Sequence, residues 1–190
     1  MGVCIVVSGP PCAGKSTLAR AVAAASGWPL LAKDEYKERI FDALGTGERD
    51  WSRRVSGLAW ELLIAEAGRL RGAGASCIVE GNLREPQRAA LRALAHAAPF
   101  VEVRVRATPE VLLARYRERA AAGVRHPGHV DLAALPEIEA ELAARCPPPS
   151  PFGGPVLDWD TTERVDGAAL IDALGAVLAP FSAPGSGTPG

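Results

Sequence analysis

Blocks of apolar residues with different periods succeed one another along this chain, and the changes of period mark out its elements. Val3-Cys4-Ile5-Val6-Val7 is an unbroken apolar run of strand length, the pattern of a strand covered on both faces. A helical pattern follows over 15–26, then a short strand at Trp28-Pro29-Leu30-Leu31-Ala32 opening into a helix from about 35 to 44. Gly45-Thr46-Gly47 breaks the chain. Val55, Leu58, Ala59, Leu62 and Leu63 then form a helical stripe within a long helix over about 51–70. The third strand is Ser76 to Glu80, and a helix with Pro86 near its start runs to about 97. Phe100 to Val105 reads as a fourth strand, whose apolar–polar alternation predicts one partly exposed face. Thr108-Pro109-Glu110 is a cap-and-start signal for a helix to about 122, and a further helix spans about 135–145. Pro147 to Pro151 reads as a stiff linker, Val156 to Trp159 as the fifth strand, and 165–178 as the last helix. The remainder, 180–190, is rich in Pro, Gly and Ser and is expected to be a disordered tail to a domain over 1–179.

Strands alternating with helices predict a parallel sheet of right-handed βαβ units, an α/β fold with chemistry gathered where the strands end. The exit of the first strand carries the strongest motif. Gly9-Pro10-Pro11-Cys12-Ala13-Gly14-Lys15-Ser16-Thr17 satisfies Gly-x4-Gly-Lys-[Ser/Thr] in the strand–loop–helix setting of a phosphate-binding loop. Its backbone N–H groups and the helix N-terminus make a positive cradle for polyphosphate. Lys15 would bridge the β- and γ-phosphates and Ser16 would offer a hydroxyl to Mg²⁺, so a bound nucleoside triphosphate with Mg²⁺ is implied. Cys12 inside the loop reads as a small space-filler, with a redox-sensitive thiol as the alternative. Lysine is otherwise sparse: of 21 basic residues only Lys15, Lys33 and Lys37 are lysine. The last two cluster within five residues, by chance or for their compact ammonium groups.

Bulk properties narrow the setting. A chain of 190 residues suits one domain with a single core. A net charge of −1 provides no global field to attract nucleic acid, which is not expected as a partner. No apolar run reaches the roughly 20 residues of a membrane span, and the N-terminus leads into a core strand rather than a signal peptide. The cysteines at 4, 12, 77 and 146 lack CxxC spacing, which reads as reduced thiols in a cytoplasmic protein.

Two other strand exits carry carboxylates. Phosphoryl transfer to an alcohol needs a carboxylate at the acceptor hydroxyl, a metal site, and cations for the equatorial oxygens. Asp34 is the candidate for the acceptor, with a helix N-cap as the plain alternative. Glu80 ends an apolar strand and is the candidate beside Mg²⁺ with Ser16; the base and metal roles of the two acids remain exchangeable. Arg115, Arg119 and Arg125 are the candidate cations, on a helix and Gly-rich hinge that would form a lid over about 115–131, unless this is an ordinary solvated face. His126 and His129 read as lid or acceptor-pocket residues, since two ligands without a third make a poor metal site. Tyr36, Arg39, Trp51, Arg54, Asn82, Arg84 and His126 are the acceptor-pocket candidates, with Arg53, Trp60 and Arg88 beside them; Trp60 reads equally as core and Arg53-Arg54 as a solvated turn.

Taken in order, the phosphate loop, Lys33-Asp34-Glu35, Val79-Glu80-Gly81-Asn82, the arginine helix with Arg125-His126-Pro127-Gly128-His129, and Asp160-Thr161-Thr162 resemble small bacterial P-loop kinases. That group includes chloramphenicol phosphotransferase, the polynucleotide 5′-kinase domain and zeta-toxin-type kinases. The resemblance implies a three-layer αβα P-loop NTPase fold with strand order 2-3-1-4-5, Asp34 as base, and a mobile arginine lid. It also implies adenine held between Arg115 on the lid helix and the Asp160-Thr161-Thr162 loop. The expected activity is ATP- and Mg²⁺-dependent phosphorylation of a small-molecule hydroxyl on a nucleoside, sugar or antibiotic, by a monomer or homodimer. A nucleic-acid 5′-hydroxyl kinase and a regulatory ATPase switch are the alternatives. No clear Asp-Gly-x-Pro-Arg signature of the nucleoside-monophosphate kinases is present.

Overall fold

In a computed structural model, which describes residues 2–94, 99–144 and 152–182, five parallel strands form one sheet in the order β2-β3-β1-β4-β5. The strands are β1 (Cys4–Ser8), β2 (Leu30–Ala32), β3 (Cys77–Gly81), β4 (Phe100–Arg106) and β5 (Val156–Asp160). The helices are α1 (Lys15–Ser26), α2 (Lys33–Leu44), α3 (Arg49–Gly72), α4 (Glu85–Ala93), α5 (Pro109–Ala122), α6 (Asp131–Ala144) and α7 (Gly167–Ser182). A 3₁₀ turn, Pro127–His129, joins α5 to α6.

The two faces of β1 explain why the run from Val3 to Val7 is apolar without a break. Val3, Ile5 and Val7 pack in one cluster with Leu18, Ala19 and Val22 of α1, Leu112 of α5, Ile138 of α6 and Leu170 of α7. Cys4 and Val6 pack in the other, with Trp60, Leu63 and Ala67 of α3 and Leu91 of α4. A strand's side chains alternate between faces, so a central strand with a helical layer on each side can be apolar at successive positions. This is the expected three-layer arrangement. Cys4 and Cys77 are register partners on β1 and β3, buried free thiols with their Sγ atoms 3.8 Å apart.

Register fixes the active edge. Val7 pairs with Glu80 and Ser8 with Gly81, while Ala32 pairs with Glu80 from the other side. The phosphate loop, Glu80 and the start of α2 therefore leave the sheet side by side.

Several expectations shift. α2 begins at Lys33, with Ala32 at its N-cap, so Asp34 lies in the first turn and does not cap. α3 begins at Arg49 and α6 at Asp131, the latter taking Pro136 into its second turn. Thr108 does precede α5, but its side chain makes no capping bond. α7 extends to Ser182, past the expected end at 178, and the rest of the proposed tail lies outside the described residues, as do the Pro147–Pro151 linker and Cys146. The alternation in β4 does not mark an exposed face at Glu102, which is fully buried. Its carboxylate accepts from Ser8 Oγ at 2.9 Å and lies 3.5 Å from Arg88. Arg88 is itself buried in this pair, and that removes it from the acceptor candidates. Breaking a buried pair strands a charge in the core, so Arg88→Met is expected to cost about 3–5 kcal/mol, read as a lowered urea midpoint.

Candidate functional site

The loop after β1 is shaped for anions. Cys12 and Gly14 both adopt positive φ, 61° and 85°, the left-handed backbone from which anion-binding nests of N–H groups are built. Glycine is required at two points of the loop: a Cβ at Gly9 would lie 2.2 Å from the Val105 carbonyl, and one at Gly14 would lie 2.7 Å from Val165. Lys15 is buried at the start of α1 and its Nζ donates to the Pro10 carbonyl at 2.7 Å. Ser16 Oγ lies 3.3 Å from Glu80 Oε2. A hydroxyl and a carboxylate at the edge of a phosphate cradle fit Mg²⁺, which takes few protein ligands and completes its shell with phosphate oxygens and water. Burial pushes the Glu80 carboxyl up, against the opposing charge of Lys15.

A cavity of about 410 Å³ opens in front of this loop. Of the site candidates, Pro11, Lys15, Ser16, Asp34, Glu80, Asn82, Arg84, Arg119 and Arg125 line it, and so do Arg53, Trp60 and His129. Trp60 is both core and cavity wall. Asp34 sits where the lid meets α2: it pairs with Arg125, and Lys33 Nζ donates to its Oδ1 at 3.1 Å. Burial favours its neutral form, but Lys33, Arg125 and His129 outweigh burial and hold it well below the usual carboxylate range. Asp34 is thus ionised.

The segment expected to form the lid, from α5 through the Pro127–His129 turn, is gathered around Asp131. Arg125 Nη1 donates to its Oδ1 at 2.9 Å, Arg119 Nε lies 3.5 Å from its Oδ2, and the Tyr116 hydroxyl reaches its backbone carbonyl at 3.1 Å. On its far side the lid docks on Phe41 of α2, against which His126 stacks with ring centroids 5.3 Å apart. Gly128 is obligatory there, because a Cβ would meet the Phe41 ring at 2.4 Å. His126 is held by Asp42 at 3.2 Å and by the Gly128 N–H. It therefore braces the lid and does not line the cavity, which corrects its assignment to the acceptor pocket.

Arg115 stands apart from the cavity. Its guanidinium donates to the Thr161 carbonyl at 2.7 Å and lies 3.4 Å from that of Thr162. Thr161 Oγ1 in turn donates to Ala13 O at 2.9 Å, and Thr162 N–H to Asp160 Oδ1 at 2.8 Å. Helix α5, the β5 exit and the phosphate loop are thus tied together through Arg115 and Thr161. Four other acceptor candidates also miss the cavity. Tyr36 packs against the second core cluster, Arg39 and Arg54 are exposed, and Trp51 Nε1 donates to Gly45 O at 3.0 Å. On α3 the cavity takes Arg49, Arg53, Ser56 and Trp60. Their i, i+4, i+7, i+11 spacing is one helical stripe, a signal the sequence did carry. Lys33, Lys37, Asp131 and Glu137 also line the cavity and were not among the expected site residues.

A family model described as an AAA domain matches residues 4–144, most of the chain. The chain belongs to that family, AAA_33. Uncharacterized proteins of Mycobacterium tuberculosis and Mycobacterium bovis are 36% identical over 174 residues, which cover 86% of this AAA domain chain but 31% of theirs, about a third of their length. Among solved structures, a presumed kinase from Chloroflexus aurantiacus superposes with a TM-score of 0.83 at 38% identity, covering 93% of this chain and 98% of that one. A sugar kinase from Janibacter (TM-score 0.59, 19% identity, 94% and 95% covered) and a gluconokinase from Sinorhizobium meliloti (0.54, 23%, 95% and 93%) share the fold. The resemblance of this AAA domain to small P-loop kinases therefore holds, as does the P-loop NTPase fold. Among the described residues, no helix is long and apolar enough to cross a membrane.

His129 gives the site a pH signature. It is 4% exposed and its Nε2 lies 2.8 Å from Glu38 Oε1. Burial, joined by the charge of Arg125, pushes its pKa down to about 3. The unfolded chain binds that proton near pH 6.5 and the folded one does not, so stability is expected to fall as pH drops from about 6.5 toward 3. Glu38, raised by burial, opposes this in part. Denaturation midpoints across that range should fall less steeply in His129→Gln.

Proposed function

We propose that this AAA domain is a kinase that transfers the γ-phosphoryl group of ATP to a hydroxyl of a small molecule. The observation that carries this reading is the position of Asp34, ionised and paired with Arg125 in the wall of a cavity that begins at Lys15. A nucleotide-binding switch needs a phosphate cradle but no carboxylate on the far side of it. The volume, about 410 Å³, falls within the range of small-molecule sites.

The roles follow from placement. The loop N–H groups and Lys15 hold the polyphosphate, and Thr161 with Arg115 braces the loop from the nucleotide side. Ser16 and Glu80 would hold Mg²⁺, which when bound neutralises charge on the phosphates. Arg119 and Arg125, presented by Asp131, supply positive charge to the equatorial oxygens of the group in transfer. Asp34 accepts the proton of the attacking hydroxyl. Arg125 is paired with Asp34, so transfer requires Arg125 to turn from that carboxylate to the phosphoryl group.

The fold likeness to a sugar kinase and a gluconokinase supports a polyhydroxylated acceptor. Purified protein with Mg²⁺ATP, offered sugars, sugar acids, nucleosides, aminoglycosides and 5′-hydroxyl oligonucleotides, is expected to release ADP faster with one class and to add one phosphoryl mass to it. ADP release that no compound accelerates would count against the kinase. With that acceptor, Asp34→Asn is expected to keep nucleotide affinity and lose about 10²–10⁴-fold in kcat. Lys15→Ala should lose nucleotide binding itself, measured by calorimetry. Unchanged turnover in Asp34→Asn would remove the base.

A further inference from the structure

Among the described residues, the buried ammonium of Lys37 in the cavity wall is paired with no carboxylate. Eight lysine and arginine side chains line the cavity against four carboxylates, although the chain as a whole carries −1. Most of those cations are matched. Arg49 and Arg53 pair with Glu137, Arg84 with Glu141, Lys33 with Asp34, and Arg119 and Arg125 with Asp131. Lys15 belongs to the phosphate loop. Lys37 differs: it is 4% exposed, and its Nζ donates to the neutral Ser52 hydroxyl at 2.8 Å and sits 5.3 Å from the Phe41 ring centroid. No carboxylate pairs with it among the described residues. An ammonium has three donors, so those not used by Ser52 are available to the cavity.

Its place on α2 gives this meaning. Lys37 follows Asp34 by three residues, and side chains so spaced share a helix face with Cβ atoms about 5–6 Å apart. A hydroxyl at Asp34 thus lies one helical turn from the ammonium. A buried charge without a partner is costly unless something supplies one. Its proton is loosely held: burial, with Lys33, Arg125 and Arg49, lowers the pKa to about 7 against the pull of Asp34, and His129 faces it from the Pro127–His129 turn.

We propose that Lys37 anchors an anionic group of the acceptor, so that the compound phosphorylated is a hydroxylated acid, with a carboxylate or phosphate a few bonds from the accepting hydroxyl. This rests on the kinase reading of the same cavity. Ser52 orients the ammonium, and the anion takes the donors that Ser52 leaves.

The test uses matched probes: glycerol, glycerate and glycerol 3-phosphate, and glucose, gluconate and glucose 6-phosphate. Each is titrated calorimetrically into the full chain saturated with Mg²⁺ and a non-hydrolysable ATP analogue, in two buffers of different ionisation enthalpy near pH 7.5. The expected result is that an acid of at least one set binds at least about tenfold tighter than its neutral counterpart. Binding should take up protons, because an anion stabilises the charged form of Lys37. Whether the carboxylate or the phosphate member prevails names the anion. Lys37→Met should lose about tenfold or more in acid affinity together with the proton uptake, while holding the ATP analogue as before. Neutral members binding as well as acids, or acid binding without proton uptake in the unaltered protein, would overturn the anchor, and that second readout needs no variant to fold. ADP release with the same probes separates the two readings. Phosphorylation of a neutral member at equal efficiency sinks the anchor and keeps the kinase. Acid binding that depends on Lys37 but leads to no turnover keeps the anchor and counts against the kinase.

Discussion

The parallel pairing of β3 with both β1 and β2 is the constraint on which the rest of this site depends. Because Val7 and Ala32 both lie beside Glu80, three chain segments distant in sequence leave the sheet at one level. One forms the phosphate cradle, one ends in the acid next to Ser16, and one starts the helix that carries Asp34 and Lys37. A slip of one residue in either pairing would turn Glu80 to the other face of the sheet. The buried Arg88–Glu102 pair, reached by Ser8 from the end of β1, supports the same edge from within.

Most of this architecture was legible in the sequence. Five apolar strand runs separated by helical periods are enough for an α/β sheet, and Gly9 to Thr17 identifies the loop after β1 without reference to the rest. The acids at the next two exits, Asp34 and Glu80, follow from the rule that open parallel sheets do their chemistry where strands end. Helix ends were less legible. α2 starts two residues early because Lys33 and Asp34, polar and close to the strand, read as loop although acids suit a first turn.

What stayed hidden was rotation and long-range pairing. Trp51, Arg39 and Arg54 lie on the helices expected to form the pocket but on the wrong side of them, whereas Arg49 and Arg53 lie on the right one. Glu102 looked like a solvated strand position because its partner Arg88 sits on another element. Asp131 and Glu137 have no local signature, since their partners come from α5, the hinge and α3. Such residues are chosen by the tertiary fold, and a linear pattern carries no record of them.

The Arg125–Asp34 pair links two demands that are usually met separately. A guanidinium bound to a carboxylate suppresses its basicity, and while so bound it delivers no charge to a phosphoryl group. On the kinase reading, one rotation of the Arg125 side chain would free the proton acceptor and bring counter-charge to the phosphoryl group together. On that reading, a water arriving with nucleotide alone would meet a carboxylate already occupied, and the same contact that primes transfer would guard the phosphoryl donor against hydrolysis.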